Sequence, residues 1–401
     1  MSYANLTILA LFIFAYSIVS RRTAHTPFQG ALVFTLSGFA LGGDGLGILD
    51  LSVDSEGLRI LAASALALVL FTDAAEADLS VLRSAIAIPR RLLLAVMPLK
   101  ILMGYLCGLL LFPDIDHYEL AILATMLAPT DAALGKAVVT NPTVPAHIRE
   151  SLNFESGLND GLAVPILFIF IALATGAASP DSTPELALEL MLRELGIGLL
   201  VGLGMTGVMA QILRWASAHR WITVSWQQLP VVTMSLSCFG AAQWFHGSGF
   251  IAAFTGGVLF GWMAWTSKGE LLKAAEGTAD TLTLITWVVF GGIALGPVLG
   301  EITWQIALYS VLSLTVVRLV PVFICLSGTG LSWQEKLFVG WFGPRGLASI
   351  VFGVVVLNLA LPGGDTVVVT AASTVLLSVV AHGVTANYMV RWLNGQMRRA
   401  S

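Results

Sequence analysis

Two short stretches of this 401-residue chain set ionisable side chains into sequence that is otherwise almost wholly apolar: Ala128-Pro129-Thr130-Asp131 and, about a helix later, Glu155-Ser156-Gly157-Leu158-Asn159-Asp160. With 3.6 residues per turn, Glu155 and Asn159 fall on one line of a helix and Ser156 and Asp160 on the adjacent line, so all four share one side. A polar stripe of this kind can glue helices together. An acid is a costly choice for glue at bilayer depth, and two acids so close repel unless one is paired or protonated.

Arg318 is the natural partner, being one of three basic residues, with Lys100 and Arg345, that lie inside apolar runs. It sits too deep in its run to snorkel. A Glu155–Arg318 ion pair leaves Asp160 unpaired. Burial disfavours the charged form of a carboxyl, so Asp160 is able to exchange a proton near physiological pH. When ionised it offers hard oxygen to a small cation, alongside Ser156, Asp131 and the carbonyls freed by a break at Pro129 to Thr130. One carboxylate that holds a proton or a cation, never both, is the minimum machinery of antiport. Lys100 either partners an acid or snorkels, and Arg345 is expected to compensate the exposed carbonyls of its own segment.

The elements that must position these residues are membrane helices. Hydrophobic residues make up 57% of the chain and its mean hydropathy is +0.86. A crossing takes about 20 apolar residues, so the chain has room for more than a dozen. The polar stretches near 76–91, 140–150, 176–194 and 214–227 are only loops, which leaves no place for a soluble catalytic domain and weighs against an enzyme. Cys107, Cys238 and Cys325 fall inside apolar runs without zinc spacing or a disulfide framework. The net charge of −4 says little about partners, since in a membrane protein the placement of charge matters more than its sum. The first apolar run lacks leading basic residues and a cleavage site, and reads as a retained helix.

Apolar runs between Gly, Pro and polar punctuation predict an all-α integral membrane protein of about 13 transmembrane helices. The first six lie near 4–20, 28–48, 57–74, 92–112, 119–138 and 151–175. A connector near 184–213 follows, then six more near 228–246, 248–266, 279–299, 303–327, 334–360 and 366–388. Of the 20 Lys and Arg residues, the odd-numbered connections and the C-terminal tail hold fifteen, including Arg83, Lys136 and Arg149, while the even-numbered connections hold only Arg59 and Arg193. A miscounted helix would destroy that separation, which places the N-terminus outside and the C-terminus inside. Six, one and six is the pattern of an inverted repeat, and transporters so built carry broken helices at matching positions. Leu127-Ala128-Pro129-Thr130 and Gly343-Pro344-Arg345-Gly346 interrupt the fifth helix of each set of six.

Thr130-Asp131 followed by Glu155-Ser156-Gly157-Leu158-Asn159-Asp160 resembles the Na⁺/H⁺ exchangers of the NhaP/NHE type in the cation:proton antiporter superfamily, and the thirteen helices extend the resemblance over essentially the whole chain. The resemblance implies a homodimer in the cell membrane. Its transport core, 92–175 and 300–401, would move against dimerisation helices in 1–91 and 228–299, joined by 176–227. Residue by residue, it implies that Asp160 binds the cation and carries the proton, that Ser156 and Thr130 are cation ligands, that Asp131 belongs to the unwound crossing and that Asn159 ties the sixth helix to it. Asn-Asp here, as opposed to Asp-Asp, implies electroneutral exchange. Asp73 looks like an acid that relatives place by the ion cavity, though it serves equally as a polar helix end. Proline commonly follows the Thr-Asp pair in relatives, whereas here Ala132 follows and Pro129 precedes. Glu155, Arg318 and Arg345 are structural in this scheme. The tail after Val390 is short, which implies that the long regulatory domain of some eukaryotic members is missing.

The expected activity is exchange of Na⁺ or Li⁺, with K⁺ a further candidate, for H⁺, with no cofactor and no nucleic-acid partner. A cation-coupled solute symporter and a cation-binding sensor are the rival readings. His147, on the cytoplasmic side, is either a solvated histidine or a contributor to pH sensing.

Overall fold

The computed structural model describes residues 3–23, 30–49, 55–77, 86–131, 134, 138, 141–177, 183–263 and 268–400. Arg83, Ala132 and Lys136, used above, lie outside these. The thirteen predicted helices are all present. They are α1 (Tyr3–Thr23), α2 (Gly30–Leu41), α3 (Ser55–Glu76), α4 (Ala87–Leu111), α5 (His117–Met126), α6 (Ala146–Ala174) and α7 (Thr183–Ala218). After them come α8 (Pro230–Trp244), α9 (Gly249–Trp262), α10 (Lys268–Ile293, then Leu295–Glu301), α11 (Trp304–Leu314, then Val316–Cys325), α12a (Trp333–Trp341), α12b (Leu347–Leu357) and α13 (Gly364–Ala400).

Their ends follow local chemistry. Asp116 accepts from the Tyr118 amide to start α5, and Ser332 with Glu335 forms a capping box that starts α12a. The second helix was expected to reach residue 48 but stops at Leu41, because Gly42, Gly43, Gly45 and Gly47 follow and the last adopts a positive φ of 64°. In α4 a π turn over Leu92–Val96 precedes Pro98, whose missing N–H disturbs the ladder just before Lys100.

Six helices among the described residues are long and apolar enough to cross a membrane alone, or seven with α10, which bends by 47°. The remaining crossings are short or broken. Irregular backbone is tolerated at membrane depth only where protein buries it. Residues 127–131 and 342–346, the two unwound segments, are buried throughout.

Packing divides the helices. The second helix runs along α10, α3 along α9 and α10, and α7 along α9; elsewhere α4 pairs with α5, α5 with α6, and α13 with α11 and α12b. Contact between α2 and α10 is close enough that a Cβ on Gly291 would strike the Thr35 carbonyl. Along the seam between the two groups, α6 meets α7 and α9, and α12b meets α3.

Candidate functional site

Both broken helices leave carbonyls at one half-helix end and amides at the other without helical partners. The two unwound segments meet directly, the Asp131 amide donating to the Pro344 carbonyl at 2.8 Å. Asp131 Oδ2 accepts from the Leu347 amide at 2.8 Å and Oδ1 from the Leu134 amide at 3.4 Å. Its carboxylate therefore caps the start of α12b, where the helix dipole favours negative charge. Only glycine fits at 346, since a Cβ there would collide with Asp131 Oδ2.

The freed carbonyls of the first crossing are covered one by one. Met126 O accepts from the Ser349 hydroxyl at 2.8 Å, and Ala128 O accepts from Lys100 Nζ at 2.7 Å and Arg345 Nη1 at 3.0 Å. Pro129 O accepts from Arg345 Nη1 at 2.8 Å and Thr130 O from the Ser156 hydroxyl at 2.7 Å. At the second crossing Val339 O takes Arg318 Nη2 at 3.3 Å, and Trp341 O takes His382 Nε2 at 2.8 Å. Arg345 was expected to compensate its own crossing, but it reaches across to the other. The reason is polarity: Arg345 stands at the amide end of α12b, and its positive charge goes to the nearest carbonyl end, that of α5.

The sixth helix supplies the acids. Glu155 forms a bidentate ion pair with Arg318, and its Oε1 lies 3.7 Å from Lys100 Nζ, all three side chains being about 1% exposed. Lys100, left open between pairing and snorkelling, thus joins both an acid and a crossing carbonyl. Asn159 Nδ2 donates to Thr130 Oγ1 at 2.7 Å, tying α6 to the first crossing. One turn past Ser156, Asp160 is 1% exposed and neither of its carboxylate oxygens has a hydrogen-bond partner among the described residues. A buried acid without a hydrogen-bond partner is costly at this depth, which marks Asp160 as the candidate functional residue.

Asp73 lies half-buried near the end of α3, and its carbonyl accepts from Asn153 Nδ2 at 3.4 Å. That contact sets the end of α3 beside α6 two turns before Asp160. The site also includes two residues that the sequence reading passed over. Ser378 Oγ accepts from the Arg345 amide at 2.7 Å, and His382 Nδ1 lies 3.1 Å from that hydroxyl. Their signal was present: Thr374, Ser378 and His382 recur at four-residue intervals along an apolar helix. His147 Nε2 lies 3.4 Å from Glu335 Oε1, at the starts of α6 and α12a.

Comparison with known proteins agrees with this architecture. A family model described as sodium/hydrogen exchanger, transmembrane, matches residues 8–392. A Na⁺/H⁺ antiporter of Schizosaccharomyces pombe is 27% identical over 311 residues, covering 70% of this chain and 66% of the relative. The K⁺/H⁺ antiporter NhaP of Alkalimonas amylolytica is 23% identical over 410 residues, covering 100% of this chain and 69% of the relative. The chain spans only 33% and 31% of two further fungal relatives. The structure of the sodium proton antiporter MjNhaP1 from Methanocaldococcus jannaschii superposes with a TM-score of 0.74 at 20% identity, covering 98% of this chain and 99% of that one, so the two share a fold.

Proposed function

Because the chain belongs to the sodium/hydrogen exchanger family, we propose that it exchanges a monovalent cation for H⁺ by alternating access. The observation that carries this reading is Asp160, a buried carboxylate without a hydrogen-bond partner among the described residues, set beside a crossing whose carbonyls at Met126, Ala128, Pro129 and Thr130 are hydrogen-bonded. A proton and a desolvated cation compete for that one acid. In this reading Thr130 and Ser156, bonded to each other at 2.7 Å, join Asp160 around the cation. Asp131 spends hydrogen bonds on backbone amides, so it acts on the cation chiefly through its charge. Asp73, at the end of α3, adds negative charge on the approach.

Charge balance supports a one-for-one cycle. Around the crossing Lys100, Arg318 and Arg345 face Glu155, Asp131 and Asp160. With Asp160 ionised these six sum to zero, and either guest adds one positive charge. Both strokes then carry the same charge, and the exchange is electroneutral. The relatives' names cover Na⁺ and K⁺, and for this chain Na⁺ or Li⁺ is the proposed substrate, with K⁺ the alternative.

In this reading residues 92–175 and 300–401 form the moving core and 1–91 and 228–299 the dimerisation scaffold, with 176–227 joining them. Two copies associate in the cell membrane, N-terminus outside and C-terminus in the cytoplasm. A cavity of about 620 Å³ lies in the seam between the packing groups, reaching Val164 on α6, one turn from Asp160, and rimmed by Arg59, Arg193 and His246. That is where a rocking core has room to move.

Purified protein in sealed liposomes tests the proposal. Proton flux should follow addition of Na⁺, Li⁺ or K⁺, but not Ca²⁺, and Asp160→Asn should abolish it while the protein still folds. Undiminished flux in Asp160→Asn rejects the reading. Flux that appears only when an organic solute is added marks a symporter, and no flux at all marks a sensor.

A further inference from the structure

The second repeat carries no acid where α13 meets its crossing. It carries His382, which is 1% exposed and bonded at both ring nitrogens. Nε2 lies 2.8 Å from the Trp341 carbonyl, which can only accept, so an N–H on that nitrogen finds an acceptor there. Nδ1 lies 3.1 Å from the Ser378 hydroxyl and 2.8 Å from the Ser378 carbonyl. The Trp341 and Phe342 rings wall the imidazole, with centroids 5.3 and 6.3 Å away.

From His382 an unbroken set of contacts leads to the ion site. Ser378 Oγ accepts the Arg345 amide, Arg345 Nη1 donates to Ala128 O and Pro129 O, and the next carbonyl along that unwound segment, Thr130 O, takes the Ser156 hydroxyl. We infer that His382 is a positioning residue for exchange: by holding Ser378 and the end of α12a, it fixes Arg345, and Arg345 in turn fixes the Thr130 corner against Asp160. This inference rests on the exchange reading above. Nothing in it depends on titration of the imidazole; the ring serves as a rigid hydrogen-bonding link between Ser378 and Trp341.

Glutamine offers an amide donor for the Trp341 carbonyl or the Ser378 carbonyl, whereas leucine offers none. In liposomes His382→Leu should raise the apparent KM for Na⁺, Li⁺ or K⁺ about 3- to 10-fold, the worth of one or two neutral hydrogen bonds, with Vmax changed by less than about twofold. His382→Gln should restore KM. A second readout needs no transport: hydrogen exchange at the Arg345 amide should speed up in His382→Leu and return to the parent rate in His382→Gln. If His382→Leu fails to fold, Ser378→Ala removes the acceptor of the Arg345 amide directly, in a smaller change, and carries the same expectation. A KM that stays put while only Vmax or folded yield falls overturns the role, as does a glutamine variant no better than leucine. Parent protein that moves no monovalent cation sinks the exchange reading itself, and this role with it; active parent protein with an unresponsive KM sinks only the role of His382.

Discussion

In the first half of the molecule α6 reaches its crossing through Ser156 and Asn159, which bond Thr130; in the second half α13 reaches its crossing through Ser378 and His382, which bond Arg345 and Trp341. Lys100 on α4 covers a carbonyl at the end of α5, and Arg318 on the matching helix α11 covers one at the end of α12a. The two halves thus solve the broken-helix problem with the same parts. They differ in what is left over. On the α6 side Asp160 and the Asn159 side-chain oxygen have no hydrogen-bond partner among the described residues, while Ser378 and both nitrogens of His382 are engaged on the α13 side. Shared architecture holds the chain open at two places, and on the proposed reading the unmatched acid makes one of them the place to exchange a guest.

The sharpest way to break this comparison is to put an amide on each side. Asp160→Asn removes a charged partner that a desolvated cation requires, a loss of about 3 kcal/mol or more, roughly 100-fold in exchange rate at fixed cation. His382→Gln, by contrast, should leave the maximal rate within about threefold of the parent, because no more than a neutral hydrogen bond changes quality. Proton flux in liposomes measures both. Equal losses would mean that the two crossings are functionally alike and that the unpaired acid is not what separates them.

A second test breaks the symmetry of the basic pair. Glu155 is held by two charge-assisted bonds from Arg318 but stands 3.7 Å from Lys100. Arg318→Leu should therefore cost about 3–5 kcal/mol of stability and Lys100→Leu less, read from thermal unfolding in detergent. Adding Glu155→Gln should recover part of the Arg318→Leu loss, since the buried charge left behind is neutralised. Recovery of nothing would show that the guanidinium matters for its bond to Val339 O alone.

Much of this was legible in the sequence, for identifiable reasons. Charge that sorts to alternate loops counts helices, and glycine and proline within apolar runs mark where they break, so thirteen helices and two crossings could be read directly. Glu155 and Arg318 are paired by elimination, since few partners exist at that depth. Three features were not legible. The reach of Arg345 to carbonyls more than 200 positions away depends on how the repeats interleave, which no local pattern encodes. The place of Lys100 depends on the same interleaving. His382 hid behind its neighbours: among Ser and Thr at four-residue spacing it reads as one more polar residue on a packed helix face.

The crossing itself allows finer tests. Asp131→Asn keeps an oxygen for the Leu347 amide but loses the charge at the start of α12b, a cost of about 1 kcal/mol. Gly346→Ala forces a Cβ onto Asp131 Oδ2 and should displace the carboxylate from that amide, so its effect on stability should match or exceed that of Asp131→Asn. In the double variant the two losses should not add, since both act on one contact.

Ser349→Ala is the gentlest test. It removes the α12b hydroxyl that donates to Met126 O at 2.8 Å. One neutral hydrogen bond is worth about 1 kcal/mol, and the orphaned carbonyl keeps a lone pair that a water can reach only if the crossing loosens. Unfolding should shift by about that amount with the apparent KM nearly unchanged, because the Thr130 carbonyl is held separately by Ser156. If KM instead rises as far as it does on losing His382, the carbonyls of the first crossing respond as one body, and the site is set by the whole unwound segment more than by the Arg345 contact.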